Sequence, residues 1–226
     1  MQILVVAATA AEVAPLSEAI RLAPSSTERV RQGRHGGHEI DLLVTGVGMV
    51  STAAWCARTL ARDRYDLALN VGLCGAFDRN LPLGSVVHVV SDRLAELGAE
   101  DGDAFLTVYE LGLLGRDEPP FRDGAIVNPM PPANAALERL PRVAGITVNT
   151  VHGRDSSIAA VRQRCDPQVE TMEGAAFMYA CLIRGMPFAE IRAVSNVVEK
   201  RNRAAWKLDE AIGNLNAAAL RIIDQT

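Results

Sequence analysis

Two glutamates stand where apolar runs meet turns. Glu12 follows the run Ile3-Leu4-Val5-Val6-Ala7 by a few residues, and Glu173 immediately precedes the apolar stretch that begins at Gly174. A carboxylate in such a place can orient water and take its proton, or stabilise a sugar ring that turns cationic. Glu12 reads equally as a favourable charge in the first turn of a helix. Residues 174–183 are apolar nearly all round and predict a buried helix. A carboxylate at the start of that helix needs partners. Helix-terminal amides could supply them, and so could the hydroxyl pair of a substrate.

Three further stretches lie where strands end. Gly46-Val47-Gly48-Met49-Val50-Ser51 opens a helix as a dinucleotide fingerprint does, but Ser51 occupies the place of the third glycine. A tight strand-to-helix turn without a dinucleotide is the better reading. Gly72-Leu73-Cys74-Gly75 closes another strand. Its glycines allow a flat ligand close to the backbone, or simply make a turn. Arg192-Ala193-Val194-Ser195-Asn196 places an amide just past a buried strand. The mixed-charge run 197–203 after it has the composition of a solvated loop.

These stretches must be positioned by a regular scaffold. Short apolar runs predict strands at 3–7, 40–45, 67–71, 86–90, 146–151 and 191–194. Helical spacing predicts helices at 11–22, 50–60, 174–183 and 206–223. The alternation argues for an α/β sheet, largely parallel, with helices on both faces. In such sheets ligands bind at the carboxyl ends of strands, where all five stretches fall. Residues 92–145 break the rhythm with Gly, Pro and acidic residues, which suits a lid or an interface.

Composition narrows the classes. The chain has 226 residues, 23 Lys+Arg against 27 Asp+Glu, and 49% hydrophobic residues. These proportions exclude a largely disordered chain. A net charge of −4 excludes a dedicated nucleic-acid binder, which would carry a basic stripe. Cys56, Cys74, Cys165 and Cys181 form no C-x-x-C pair and no zinc spacing. No metal and no cofactor is expected, and a reducing compartment fits better than secretion. The apolar stretch 3–11 has no cationic segment before it and meets Glu12 at once, unlike a signal peptide. No run approaches the ~20 residues of a membrane span. A soluble, cytoplasmic protein is expected, with no nucleic-acid or membrane partner.

In this order, the stretches at Glu12, Gly46-Val47-Gly48, Gly72-Leu73-Cys74-Gly75, Met172-Glu173 and Asn196 resemble the nucleoside phosphorylase and nucleosidase superfamily. The likeness spans nearly the whole chain. Within that superfamily, Leu97-Gly98-Ala99-Glu100-Asp101, the Met172–Phe177 stretch and the region of Arg201-Asn202-Arg203 and Trp206 resemble the futalosine hydrolases of menaquinone biosynthesis. The resemblance implies one domain, 1–226, a nucleoside phosphorylase-like three-layer sandwich with a twisted, mainly parallel central sheet. It implies a homo-oligomer, a dimer or higher, and cleavage of the N-glycosidic bond of a purine nucleoside. It makes Glu12 the base for water and Glu173 the holder of the ribose hydroxyls. It sets Met172 against the sugar, and Cys74 and Gly75 along the purine through backbone groups.

Two departures refine the expectation. Adenine-releasing nucleosidases of this superfamily carry an Asp where this chain has Asn196. An amide cannot act as an acid, but it can donate to a six-oxo group or the adjacent ring nitrogen. A six-oxopurine such as hypoxanthine is therefore expected, which agrees with futalosine. Phosphorolysis needs a phosphate clamp of Arg and amides. Residues 7–11 contain no Arg, and the stretch after Gly75 offers only Arg79. Water is the expected nucleophile. Arg201 and Arg203 are candidates to read the benzoate carboxylate that futalosine carries beyond its ribose, or are simply part of a solvated basic loop. The alternatives are a purine nucleoside phosphorylase, a methylthioadenosine/adenosylhomocysteine nucleosidase, and a nucleoside-binding module without turnover.

Overall fold

The computed structural model describes residues 1–22 and 29–226. Strand β1 (Gln2–Ala7) leads through a 3-10 turn (Ala11–Val13) into helix α1 (Ala14–Ala19). Next come β2 (Val30–His35), β3 (His38–Val44), α2 (Met49–Arg62), β4 (Leu67–Ala76) and β5 (Val86–Leu94). A hairpin of β6 (Gly98–Asp101) and β7 (Ala104–Thr107) follows, then β8 (Phe121–Arg122), β9 (Ala125–Val127) and α3 (Ala135–Glu138). The chain closes with β10 (Arg142–Thr147), α4 (Asp155–Cys165), β11 (Val169–Thr171), α5 (Gly174–Arg184), β12 (Phe188–Val197) and α6 (Leu208–Asp224).

The α/β expectation holds, but the sheet is mixed rather than mainly parallel. β3, β1, β4 and β12 run parallel in sequence, as do β5, β10 and β11. The two sets join antiparallel, β11 to β4 and β12 to β5. β4, β11, β10, β5 and β12 therefore form a closed, barrel-like ring. Two ten-residue strands, β4 and β12, make that closure possible, because each is long enough to pair with different partners along its length. β2 adds an antiparallel edge through the Gly36-Gly37 turn, both glycines at positive φ. Two such residues suit the tight turn of a two-residue hairpin.

Alternate residues of β1 feed two cores, as the period of a strand requires. Ile3, Val5 and Ala7 pack with Leu16, Leu215 and Ile222 under α1 and α6. Leu4 and Val6 pack with Cys56, Leu60, Phe177 and Phe188 under α2 and α5. Helices thus cover β1 on both faces, but the barrel-like closure departs from the expected three-layer sandwich. The strand expected at 146–151 lies earlier, at Arg142–Thr147, because that segment aligns with both β5 and β11. Beyond Val148 the chain leaves the sheet, and Val151 is exposed. Residues 92–145 are not wholly irregular, since they hold the end of β5, the β6–β7 hairpin, β8, β9 and α3. Among the described residues, no helix is long and apolar enough to cross a membrane.

Candidate active site

β1 delivers Glu12 to the end of the sheet. Its Oε2 accepts from the main-chain N–H of Thr9 at 2.8 Å and from Thr9 Oγ1 at 2.9 Å. Its Oε1 accepts from the N–H of Leu73 in β4 at 3.2 Å. The turn is braced from α6, where buried Asn216 donates to the Glu12 carbonyl at 2.8 Å and accepts from Leu16 N–H at 3.0 Å.

Glu173 stands at the N-cap of α5 and is 7% exposed. Its Oε1 accepts from Gly48 N–H at 2.9 Å. Gly48 has φ 96°, a conformation that glycine reaches without a steric cost and that aims its N–H at the carboxylate. Burial pushes the Glu173 carboxyl above its usual range and Glu12's charge adds to that, while Arg192 and the Gly48 N–H oppose both.

Arg192 is the residue the sequence reading missed. It lies on β12 opposite Gly72 of β4 and is 1% exposed. Its Nε donates to Glu190 Oε1 at 2.9 Å, and its Nη2 donates to Asn70 Oδ1. Asn70 in turn donates to the carbonyl of Val6 at 3.0 Å. Nη1 fills the space that a side chain at Gly72 would need, and Glu12 Oε1 stands 3.1 Å from the same point. A glycine is required there. Burial works against the guanidinium's charge, but Glu190, Glu173 and Glu12 outweigh it and keep Arg192 cationic.

Behind Arg192, Asp92 Oδ2 and Glu190 Oε1 both lie 2.5 Å from where a Gly174 Cβ would stand. Asp92 Oδ1 and Glu190 Oε2 have no hydrogen-bond partner among the described residues. Burial and then the charge of Glu190 hold Asp92 well above the carboxylate range, and burial raises Glu190 as well. One proton held by this pair relieves the repulsion between the two carboxylates.

A second region of the site opens at the bulge in β12. The register against β4 shifts between Val194 and Asn196, so that Asn196 pairs with Gly75. The extra residue, Ser195, holds its Oγ 3.2 Å from the Cys74 carbonyl, which shares the single hydroxyl proton with Asn196 Oδ1. A bulge of this kind re-aims the side chain that follows it. Asn196 and Gly75 line a cavity of about 100 Å³, together with His152, Glu170, Arg201 and Trp206. Asn196 Nδ2 donates to the Val197 carbonyl at 3.0 Å, and Oδ1 accepts from Ser195 Oγ at 2.9 Å.

The expected residues fall into two groups. Glu12 stands beside Gly72 and Arg192, Glu173 accepts from Gly48 with Met172 next to it in the chain, and Gly75 and Asn196 share the cavity described above. The Cys74 thiol is sealed in the core and burial pushes it up to about 12, which leaves only its backbone near the site. Arg201 reaches the cavity wall and lies 5.4 Å from the Trp206 ring centroid. Arg203 also lies over Trp206, at 5.8 Å, but is exposed and does not line the cavity. Neither pairs with Glu199, whose partner is Arg79 at 3.4 Å. Among the described residues no group of three His, Cys, Asp or Glu side chains is arranged to hold a metal.

The family model of the Phosphorylase superfamily matches residues 2–224. The chain belongs to the phosphorylase superfamily. Among curated members of this superfamily, the chain is similar to the futalosine hydrolase of Streptomyces coelicolor, 37% identical over 79% of this chain and 76% of that one. It is also similar to the 5′-methylthioadenosine/S-adenosylhomocysteine nucleosidase of Colwellia psychrerythraea, 28% identical over 98% of this chain and 95% of that one. The superfamily fold is matched by the native structure of the Helicobacter pylori futalosine hydrolase, with a TM-score of 0.81 and 14% identity over 100% and 98% of the two chains.

Proposed function

We propose that this chain hydrolyses the N-glycosidic bond of futalosine, releasing hypoxanthine and dehypoxanthine futalosine as a step of menaquinone biosynthesis. The observation that carries the reading is the pairing of two anchored carboxylates, Glu12 and Glu173, with an amide, Asn196, at the base end of the site. The identity to a curated futalosine hydrolase supports the same substrate.

In this reading Glu12 orients water and takes its proton as the water adds to the anomeric carbon. Its anchors at Thr9 and Leu73 fix the carboxylate before substrate arrives. Glu173 accepts from the ribose hydroxyls and favours the oxocarbenium-like sugar, with Met172 packed against it. The backbone at Cys74 and Gly75 lies along the purine, and Asn196 donates to its six-oxo edge. Arg192 is held by Glu190 and Asn70, so it is tied into the scaffold rather than free to clamp a phosphate. Water is therefore the nucleophile.

The chain acts as one domain, 1–226, in the cytoplasm, and as a homo-oligomer. The exposed apolar side chains of Val50, Tyr179 and Ile183, on the mutually packed helices α2 and α5, support self-association. A second reading, methylthioadenosine/adenosylhomocysteine nucleosidase, has the 28% identity to the Colwellia enzyme in its favour and the amide of Asn196 against it. Incubation with futalosine, inosine, methylthioadenosine and adenosylhomocysteine, with and without phosphate, tests both. Phosphate-independent hypoxanthine release from futalosine is expected, and preferential adenine release would select the second reading.

A further inference from the structure

Asn196 leaves one chemical task without an owner. The base departs with the electron pair of the C1′–N9 bond, and an amide has no acidic proton to give it. We propose that His152 is the acid that protonates the departing six-oxopurine and that Glu170 positions it, an inference that rests on the purine nucleoside hydrolase reading of this site.

His152 lies on the loop after β10, and its side chain is 11% exposed within the cavity that Asn196 lines. Glu170, on β11, is 4% exposed and grips His152 twice. Its Oε1 accepts from the His152 main-chain N–H at 3.1 Å, and its Oε2 meets Nδ1 at 2.7 Å. A carboxylate only accepts, so Nδ1 carries a proton and Nε2 is the ring nitrogen left to face a ligand. The buried Phe77 ring, its centroid 6.0 Å from that of the imidazole in a T-shaped contact, packs against the ring.

The register of the sheet makes this juxtaposition. Gly75 pairs with Glu170 on one side and with Asn196 on the other. A Cβ at Gly75 would stand 3.2 Å from Asn196 Nδ2 and 3.6 Å from the Glu170 side chain. The amide and the histidine's anchor thus meet over one glycine, the one that the proposed reading sets along the purine. A buried carboxylate that served only to tie down a loop has no need of an imidazole opening into a ligand cavity. Glu170 here is the counter-ion of the imidazolium, with a charge-assisted hydrogen bond that holds the ring in one orientation.

As the C1′–N9 bond breaks, its electron pair enters the purine, and the Nε2 proton of the imidazolium moves to N7. Neutral imidazole remains. The water oxygen bonds to C1′, and its proton goes to Glu12. Glu12 then releases that proton to solvent and His152 takes one back. The sum is nucleoside plus water giving free base plus free sugar.

The test is His152→Gln, assayed on futalosine and on 4-nitrophenyl β-D-riboside, whose leaving group departs as a stable anion and needs no proton. Futalosine kcat is expected to fall about 10²–10⁴-fold, the usual scale of general acid catalysis, with KM little changed. Riboside cleavage should stay within a few-fold of wild type. Glu170→Gln should give a smaller loss with the same dependence on leaving group. Equal loss on both substrates, or no loss on futalosine, overturns the proposal. If the wild type does not cleave the riboside, the kcat and KM split decides, and a change confined to KM overturns it. A wild type that releases no base from any six-oxopurine nucleoside refutes the hydrolase reading itself, a result visible before any variant is made.

Discussion

Glu12 Oε1 accepts from the main-chain N–H of Leu73 at 3.2 Å, so the carboxylate that follows the first strand is held by the end of the fourth. The bond places the proposed base beside Gly72, against the Arg192 guanidinium. A carboxylate that is already anchored loses little freedom when water and substrate arrive, which is how positioning lowers a barrier.

Glu12→Gln should keep the fold and the binding of product base, because the amide has nearly the same shape and its one oxygen can still accept from Thr9, at the cost of the bond from Leu73. It cannot take the proton of water. A loss of about 10²–10⁴-fold in kcat is expected. Near-wild-type kcat in this variant would remove Glu12 from the mechanism.

In the proposed reading Asn196 sets the choice of base. Its wild-type amide should favour six-oxopurine nucleosides over six-aminopurine ones. Asn196→Asp should weaken cleavage of the former and admit the latter, measured as kcat/KM on inosine and on methylthioadenosine. A wild type that prefers the adenine nucleoside would refute the amide argument.

Much of this was legible in the sequence, and the reasons for the rest are physical. Glu12 and Glu173 could be found because each lies next to an apolar run whose type is plain from its residues. Arg192 was hidden by its partners, since Asn70 lies 122 residues away and no local spacing connects them. The signal that could have shown it is Glu190-Ile191-Arg192 inside a buried strand, two opposite charges on one face. The Gly36-Gly37 hairpin was also readable, and it would have predicted the antiparallel edge. The barrel-like closure was not readable, because it depends on which strands β4 and β12 pair with along their length. The bulge at Ser195 is likewise a property of register, and it is what brings Asn196 to Gly75.

Arg201 and Arg203 divide by position. Only Arg201 lines a cavity, and it is the one given above to the base, so a contact to the purine competes with the carboxylate reading and inosine separates the two. Arg201→Ala should raise KM for futalosine about ten- to hundredfold if it reads the carboxylate, since such charge-assisted bonds are worth about 1.5–3 kcal/mol. Inosine, which lacks the benzoate, should be cleaved as before, and Arg203→Ala should change neither. Equal loss on both substrates in Arg201→Ala would point to a purine contact, or to folding or assembly.

The buried acid pair predicts a pH dependence of stability. The folded-state pKa values of Asp92 and Glu190 lie above those of the unfolded chain. Their contribution is therefore fully present below the unfolded value of about 4 and is lost as pH rises through the folded values. Asp92→Asn imitates the protonated acid at every pH. Its melting temperature relative to wild type should rise as the pH climbs above about 4 and level off once the wild-type pair has lost its proton. A difference that does not vary with pH would show that the pair holds no proton.

The central claim is that water, activated at Glu12, attacks the anomeric carbon of a six-oxopurine nucleoside. The most direct measurement is the mass of the sugar product after futalosine is cleaved in ¹⁸O-labelled water with phosphate present. One ¹⁸O atom in dehypoxanthine futalosine, with hypoxanthine as the released base, is the predicted result. An unlabelled sugar phosphate, or no cleavage of futalosine, would contradict it.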